Sequence, residues 1–153
     1  MTAAEPRNAD QRKADTLAKL RTPGIDVWVS SASASGGGAE AYLVPLSLAW
    51  IGERVVVAVQ SASRTARNVA ENGTARLALG PTRDVVMIDA VLEKVVDADD
   101  EAVAEGYVAQ ADWDPRGDGG YVFLVLRPDR IQAWREANEL PGRTLMRAGA
   151  WVV

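Results

Sequence analysis

The chain of 153 residues contains no cysteine and no histidine. The first absence removes disulfides and thiolate metal sites. The second removes histidine-ligated haem, and together they remove Ser-His-Asp and Cys-His nucleophilic catalysis. What survives is carboxylate chemistry, an oxygen-ligated metal, or chemistry done by a bound cofactor. The N-terminus lacks an apolar signal core. The longest apolar-leaning run, Ala41 to Ile51, is too short to span a bilayer and contains Pro45 and Ser47. These absences predict a soluble, cytoplasmic chain with no membrane partner. A surplus of positive charge is missing too: 17 Lys and Arg stand against 21 Asp and Glu, for a net charge of -4. A general nucleic-acid binder needs an extended basic face, so no nucleic-acid partner is expected.

Motifs that would name a chemistry are also scarce. The glycines of Ser35-Gly36-Gly37-Gly38-Ala39 are not followed by Gly-Lys-Ser/Thr, which excludes a Walker-type phosphate loop and leaves a hairpin connection. Asp112 to Gly119 has the look of a calcium loop, but Arg116 stands at the third ligand position and no Glu closes it. Asp84 and Asp89 lie five apart on one strand, so they point to opposite faces. No metal site and no protein-borne acid/base set is expected.

What is present reads as one domain, 1–153, with an N-terminal helical segment over 1–22. Residues 1–9 are polar and expected to fray. Asp10 is placed to cap a helix to about Arg21, its apolar side formed by Ala14, Leu17, Ala18 and Leu20. Strands are predicted at Ile25–Ser33, Ala41–Trp50, Arg54–Gln60, Thr74–Leu79 and Asp84–Val96. Further strands are predicted at Tyr121–Arg127 and Ile131–Arg135, broken at Pro128-Asp129, and in a final pair around Ala148-Gly149. An acidic helix runs from Asp97 to about Ala111, its acids at the end the helix dipole favours. Strands at hairpin spacing with three helical segments predict a mainly β protein: a small antiparallel barrel with flanking α-helices.

Two stretches stand out. In Ala41–Trp50, Tyr42, Val44, Leu46, Leu48 and Trp50 share one face, so that face meets a core. The other face carries Leu43, Pro45, Ser47 and Ala49, flat enough for something to lie close. Pro45 has no N–H and places the strand at an edge or a bulge. The second stretch is Ser61 to Asn68. Its serines can cap a short helix ending at Asn72-Gly73, and free first-turn N–H groups favour an anion. Arg64 and Arg67 add charge that can grip phosphate. The competing reading is a surface helix that packs Ala62, Ala66, Val69 and Ala70 inward. Asn68 lies inside this helix, and its amide is expected to tie the helix to a neighbouring strand or loop.

Taken in order, Trp28-Val29-Ser30-Ser31, Tyr42 to Ser47, Ser63 to Asn68, Arg76 to Leu79, Asp84-Val85-Val86 and Gly142 to Met146 resemble a known family. They look like the pyridoxamine 5′-phosphate oxidase-like split β-barrel superfamily, in its flavin/deazaflavin oxidoreductase branch. The likeness covers roughly residues 25–153. It implies a six-stranded antiparallel split barrel that forms a homodimer with two cofactor sites at the interface. It implies FMN or the deazaflavin coenzyme F-420 as cofactor, with Val44, Pro45, Leu46 and Ser47 along the ring. Ser61, Ser63, Arg64, Thr65, Arg67 and Asn68 would lie at the phosphate, and Trp113, Trp134 and Arg143 would reach in from the partner chain. The implied activity is hydride transfer to or from a small organic substrate. A non-catalytic flavin-binding module and a barrel that has lost its cofactor are the alternatives. Thr65 stands where many relatives have Lys. The founding oxidase holds pyridoxine phosphate with a His, which this chain lacks, so that particular activity is not expected.

Overall fold

The computed structural model describes residues 4–34 and 37–153. The elements run α1 (Ala9–Leu20), β1 (Asp26–Ser33), β2 (Glu40–Ser47), β3 (Ala49–Ile51), β4 (Arg54–Gln60), α2 (Arg64–Asn72) and β5 (Thr74–Leu79). Then come β6 (Val85–Asp97), α3 (Glu101–Ala111), β7 (Tyr121–Trp134), a 3-10 turn (Ala137–Glu139), β8 (Thr144–Arg147) and β9 (Ala150–Trp151). The architecture is the expected mainly β, antiparallel one. The described residues hold nine strands rather than six. Six of them are long, and β3, β8 and β9 are short additions.

The sheet order is β2-β1-β5-β6-β7-β4-β3, with β8 on β7 and β9 on β8. Its two ends are joined by the chain itself. β2 pairs with β1 along its whole length, and the Leu48 N–H still donates to the Ile25 carbonyl at 3.1 Å. One residue later β3 has switched to β4. A single length of backbone thus links the two ends of the sheet, while β2 keeps one edge unpaired. Pro45 sits where β2 has no second neighbour, which a residue without an N–H requires.

Two apolar clusters result. The barrel interior holds Val27, Val29, Leu48, Leu77, Val86, Ile88, Leu126 and Ile131. The second cluster, under α3, holds Val56, Ala58, Tyr107, Phe123 and Val125. β4 is the wall between them: Val55, Val57 and Val59 face the first cluster, Val56 and Ala58 the second. That is why its apolar residues run continuously instead of alternating. Gly106 lets α3 approach β3, since a Cβ there would meet Ile51 Cδ1 at 3.0 Å.

Several expectations change. Asn8, not Asp10, caps α1, through a capping box with Gln11. The buried face of α1 is Arg12, Thr16 and Leu20; Ala14 and Ala18 are exposed. Residues 4–8 are not frayed, because Arg7 is buried against Glu139; residues 1–3 lie outside the described residues. β7 is one strand. Pro128-Asp129 is taken up as a bulge opposite Asp89/Ala90, where a missing N–H breaks no ladder. The Gly37-Gly38 end of the predicted glycine connection follows β1, while Ser35 and Gly36 lie outside the described residues.

Candidate functional site

α2 begins as its sequence dictates. Ser63 is extended (φ -67°, ψ 156°), and its Oγ accepts the Ala66 N–H at 3.2 Å. Gly73 ends the helix in the left-handed conformation (φ 74°). The N–H groups of Arg64 and Thr65 have no hydrogen-bond partner among the described residues. The same holds for the Thr65 hydroxyl, although Thr65 is only 3% exposed. The inward face of α2 is Thr65, Ala66, Asn68 and Val69. Ala62 and Ala70, expected to pack inward, are exposed.

Thr65 opens into a cleft of about 480 Å³. One side is β2, which contributes Tyr42, Val44, Pro45, Leu46 and Ser47. Ala58, Val59 and Gln60 at the end of β4 lead into Ser63 and Thr65. Trp113 and Tyr121 complete the lining. The size suits a small-molecule or cofactor site. Among the described residues, no Asp, Glu, Lys or Arg lines it. Ser63 and Thr65 bring the α2 N-terminus to its edge, with two free N–H groups and the unpartnered Thr65 hydroxyl. This donor set fits an anion attached to a larger, mainly apolar body. Behind the lining, burial pushes the Tyr107 phenol up to about 12, partly offset by the Trp113 indole N–H that it accepts at 2.9 Å.

Val44 to Ser47, Ser63 and Thr65 are therefore brought together. Other predicted residues go elsewhere. Arg64 and Arg67 line a neighbouring polar hollow with Glu40, Asn68 and Glu71. The Arg64 guanidinium lies 5.2 Å from the centre of the Tyr42 ring and 3.7 Å from Glu40. Asn68 is buried, and its Nδ2 donates to Ser31 Oγ at 3.2 Å, which ties α2 to β1 as expected. Ser61 is exposed, with its N–H on the Gly120 carbonyl at 2.8 Å. Trp113, expected to come from a partner chain, lines this chain's own cleft. Trp134 and Arg143 pair with each other, 5.4 Å from guanidinium to ring centre, on the outer sheet face away from it. Tyr42, Ala58, Val59, Gln60 and Tyr121 were not foreseen as lining. Tyr42 shares a face with Val44 and could have been read from period two. Tyr121 arrives only by pairing with Gln60 across β4 and β7, a contact without a local signal.

A family model described as pyridoxamine 5′-phosphate oxidase matches residues 25–135, more than half of the chain. The chain belongs to the pyridoxamine 5′-phosphate oxidase family. The match spans β1 to β7 and so contains the whole cleft. Curated proteins yield no match. Among solved structures, a putative pyridoxamine 5′-phosphate oxidase from Listeria innocua is 16% identical with a TM-score of 0.59; 81% of this chain and 98% of that one are covered. An F-420 reductase is 15% identical with a TM-score of 0.57, covering 73% and 92%. The haem storage protein HutZ from Vibrio cholerae is 17% identical with a TM-score of 0.61, covering 78% and 92%. At such identities the likeness to these three establishes a common fold.

Proposed function

We propose that this chain binds FMN or coenzyme F-420 in the cleft between β2, β4 and α2, and acts as an oxidoreductase on a small organic substrate. The observation that carries this reading is the unpartnered hydroxyl of Thr65, a residue that lines the cleft beside two free N–H groups at the start of α2. The phosphate belongs there, with Ser63 shaping the turn. Val44 to Ser47 and Trp113 line the part left for the ring and keep water from it. A flavin or deazaflavin, when bound, supplies the hydride chemistry itself. That division suits a cleft whose lining holds no charged acid or base. Arg64 and Arg67 contribute field from the neighbouring hollow rather than contact. We further propose a homodimer, in which the outer sheet face brings Trp134 and Arg143 to the partner's cleft.

The second reading, a non-catalytic flavin-binding module, is favoured by that same lack of charged groups. A haem role, suggested by the fold relative HutZ, finds no His, Cys or Met in the lining among the described residues, where Tyr42 and Tyr121 are the side chains that could ligate iron. The test is the visible spectrum of purified protein, then titration with FMN and with F-420, then turnover with reduced cofactor and a panel of quinones and enones. Binding with turnover is expected. Tight binding without turnover on that panel would favour the module. Absence of affinity for both cofactors would overturn the site.

A further inference from the structure

Trp113 is held more firmly than a loop residue needs to be. It follows Asp112, which ends α3 in the left-handed conformation (φ 62°), and precedes a loop closed by a two-pronged Arg116–Asp114 ion pair. Its indole N–H donates to the Tyr107 hydroxyl at 2.9 Å. Its ring meets Tyr107 edge-on, with centres 6.1 Å apart and planes at 79°, and meets Tyr121 at 5.3 Å and 74°. Tyr107 is fully buried on the inner face of α3, packed on Phe123 at 5.0 Å, and does not line the cleft. The one polar group of Trp113 is thus turned away from the cleft and satisfied. What remains toward the cleft is apolar aromatic surface.

We propose that Tyr107 is a positioning residue for this site: its buried hydroxyl fixes Trp113 as an aromatic wall of the cleft, and that wall selects a planar ring system. The inference rests on the reading of the cleft as a flavin or deazaflavin site. Tyr107 does not touch the ligand and acts through Trp113. Edge-to-face contacts with two tyrosines allow the indole little rotation, so the width of the cleft is set from the core and not by the loop. Burial raises the pKa of the phenol, so the indole N–H is accepted by a neutral hydroxyl.

The experiment uses the full chain with 5-fluorotryptophan at its five tryptophans. In ligand-free protein the Trp113 resonance is assigned by its loss in Trp113→Phe. In Tyr107→Phe that resonance should shift or broaden while the other four stay. An unchanged Trp113 resonance would overturn the link between the two residues. FMN and riboflavin are then titrated into parent, Tyr107→Phe and Trp113→Phe. Tyr107→Phe should weaken both ligands equally, roughly three- to tenfold, and reduce the quenching of bound flavin fluorescence. Parent-like affinity and quenching in both variants would overturn the role of the wall. Absence of FMN and F-420 binding by the parent would instead bring down the cofactor reading, and this inference with it. The ligand-free spectra separate that failure from a failure of the Tyr107 link.

Discussion

Thr65 and Glu139 show what a single buried polar residue can decide. Thr65→Val keeps the shape of the side chain and removes a hydroxyl that lines the cleft beside the start of α2 without a partner. A hydrogen bond to a charged group is worth roughly 1.5–3 kcal/mol, so FMN affinity should fall about ten- to a hundredfold with riboflavin affinity unchanged. Arg64→Ala and Arg67→Ala should cost less, because Arg64 is on Tyr42 and both line the adjacent hollow. Parallel titrations of the three variants check the order. If an arginine variant loses more than Thr65→Val, the phosphate lies toward the hollow. The capping serine and the anion-binding helix start were legible from residue order. The direction of the arginine heads was not, since it depends on Tyr42 and Glu40 from another strand.

Glu139 is the opposite case, a residue without a sequence signal that anchors the N-terminal segment. It is 1% exposed and accepts from the Arg7 backbone N–H at 2.9 Å, from Arg7 Nη2 at 2.8 Å and from the Arg135 N–H at 2.8 Å. These donors, Arg7 above all, hold its carboxyl far below the ordinary value of 4.5. A depressed carboxylate contributes stability in full above its unfolded pKa and loses it as the pH falls through the folded one. Glu139→Gln should therefore lower stability at pH 7 by about 3 kcal/mol, the low end for breaking a buried pair, because Asp15 and Asp84 still face Arg7. Urea unfolding at pH 7 and at successively lower pH below about 4.5 should show the gap between parent and variant narrowing. A gap that is constant with pH would mean that the charge of Glu139 is not what matters.

Among elements, β2 and α2 were legible because each obeys one strong local rule, alternation in the first and capping with a terminal glycine in the second. α1 was not. Its buried stripe Arg12–Thr16–Leu20 looks polar, and it is buried because Arg12 donates to the carbonyls of Gly142 and Arg7. Those partners are supplied by tertiary structure. β7 was broken in the reading because Pro128 ends most strands, and only its pairing with β6 reveals a bulge that accommodates it. The link between α2 and the sheet rests on one side chain. Asn68→Ala leaves the buried Ser31 hydroxyl without its donor, at a cost of about 1–3 kcal/mol. Because Asn68 is off the cleft, any loss of FMN affinity must come from a shift of α2. Both effects are expected, by urea unfolding and FMN titration. The Ser31→Ala, Asn68→Ala double variant should cost less than the sum of the singles. Strict additivity would show that the bond does not couple the two elements.

At the scale of the molecule the question is what covers the outer face of the sheet. The even face of β6 is absorbed by the interior: Val86, Ile88 and Ala90 are buried. The apolar surplus is instead on the opposite face. Trp28 is 51% exposed and stands across from Pro45, with Leu43, 58% exposed, two residues along. The row continues through Ala78 and Met87, and Trp134 lies on the same face opposite Val85. A Trp offers roughly 150–250 Å² of contact, a sizeable share of the ~800 Å² that each partner buries in a stable interface. A two-fold dimer would use this face twice. Trp28→Glu should therefore leave the melting of the isolated protomer nearly unchanged, since the side chain is half exposed, and convert the dimer to monomer. Sedimentation velocity at micromolar concentration reads the change. If Arg143 serves the partner's cleft, Arg143→Ala should weaken FMN binding in the parent background and have no further effect in Trp28→Glu. A parent that sediments as a monomer would remove both the dimer and the shared site, and would leave Trp28 and Leu43 to be explained by another partner.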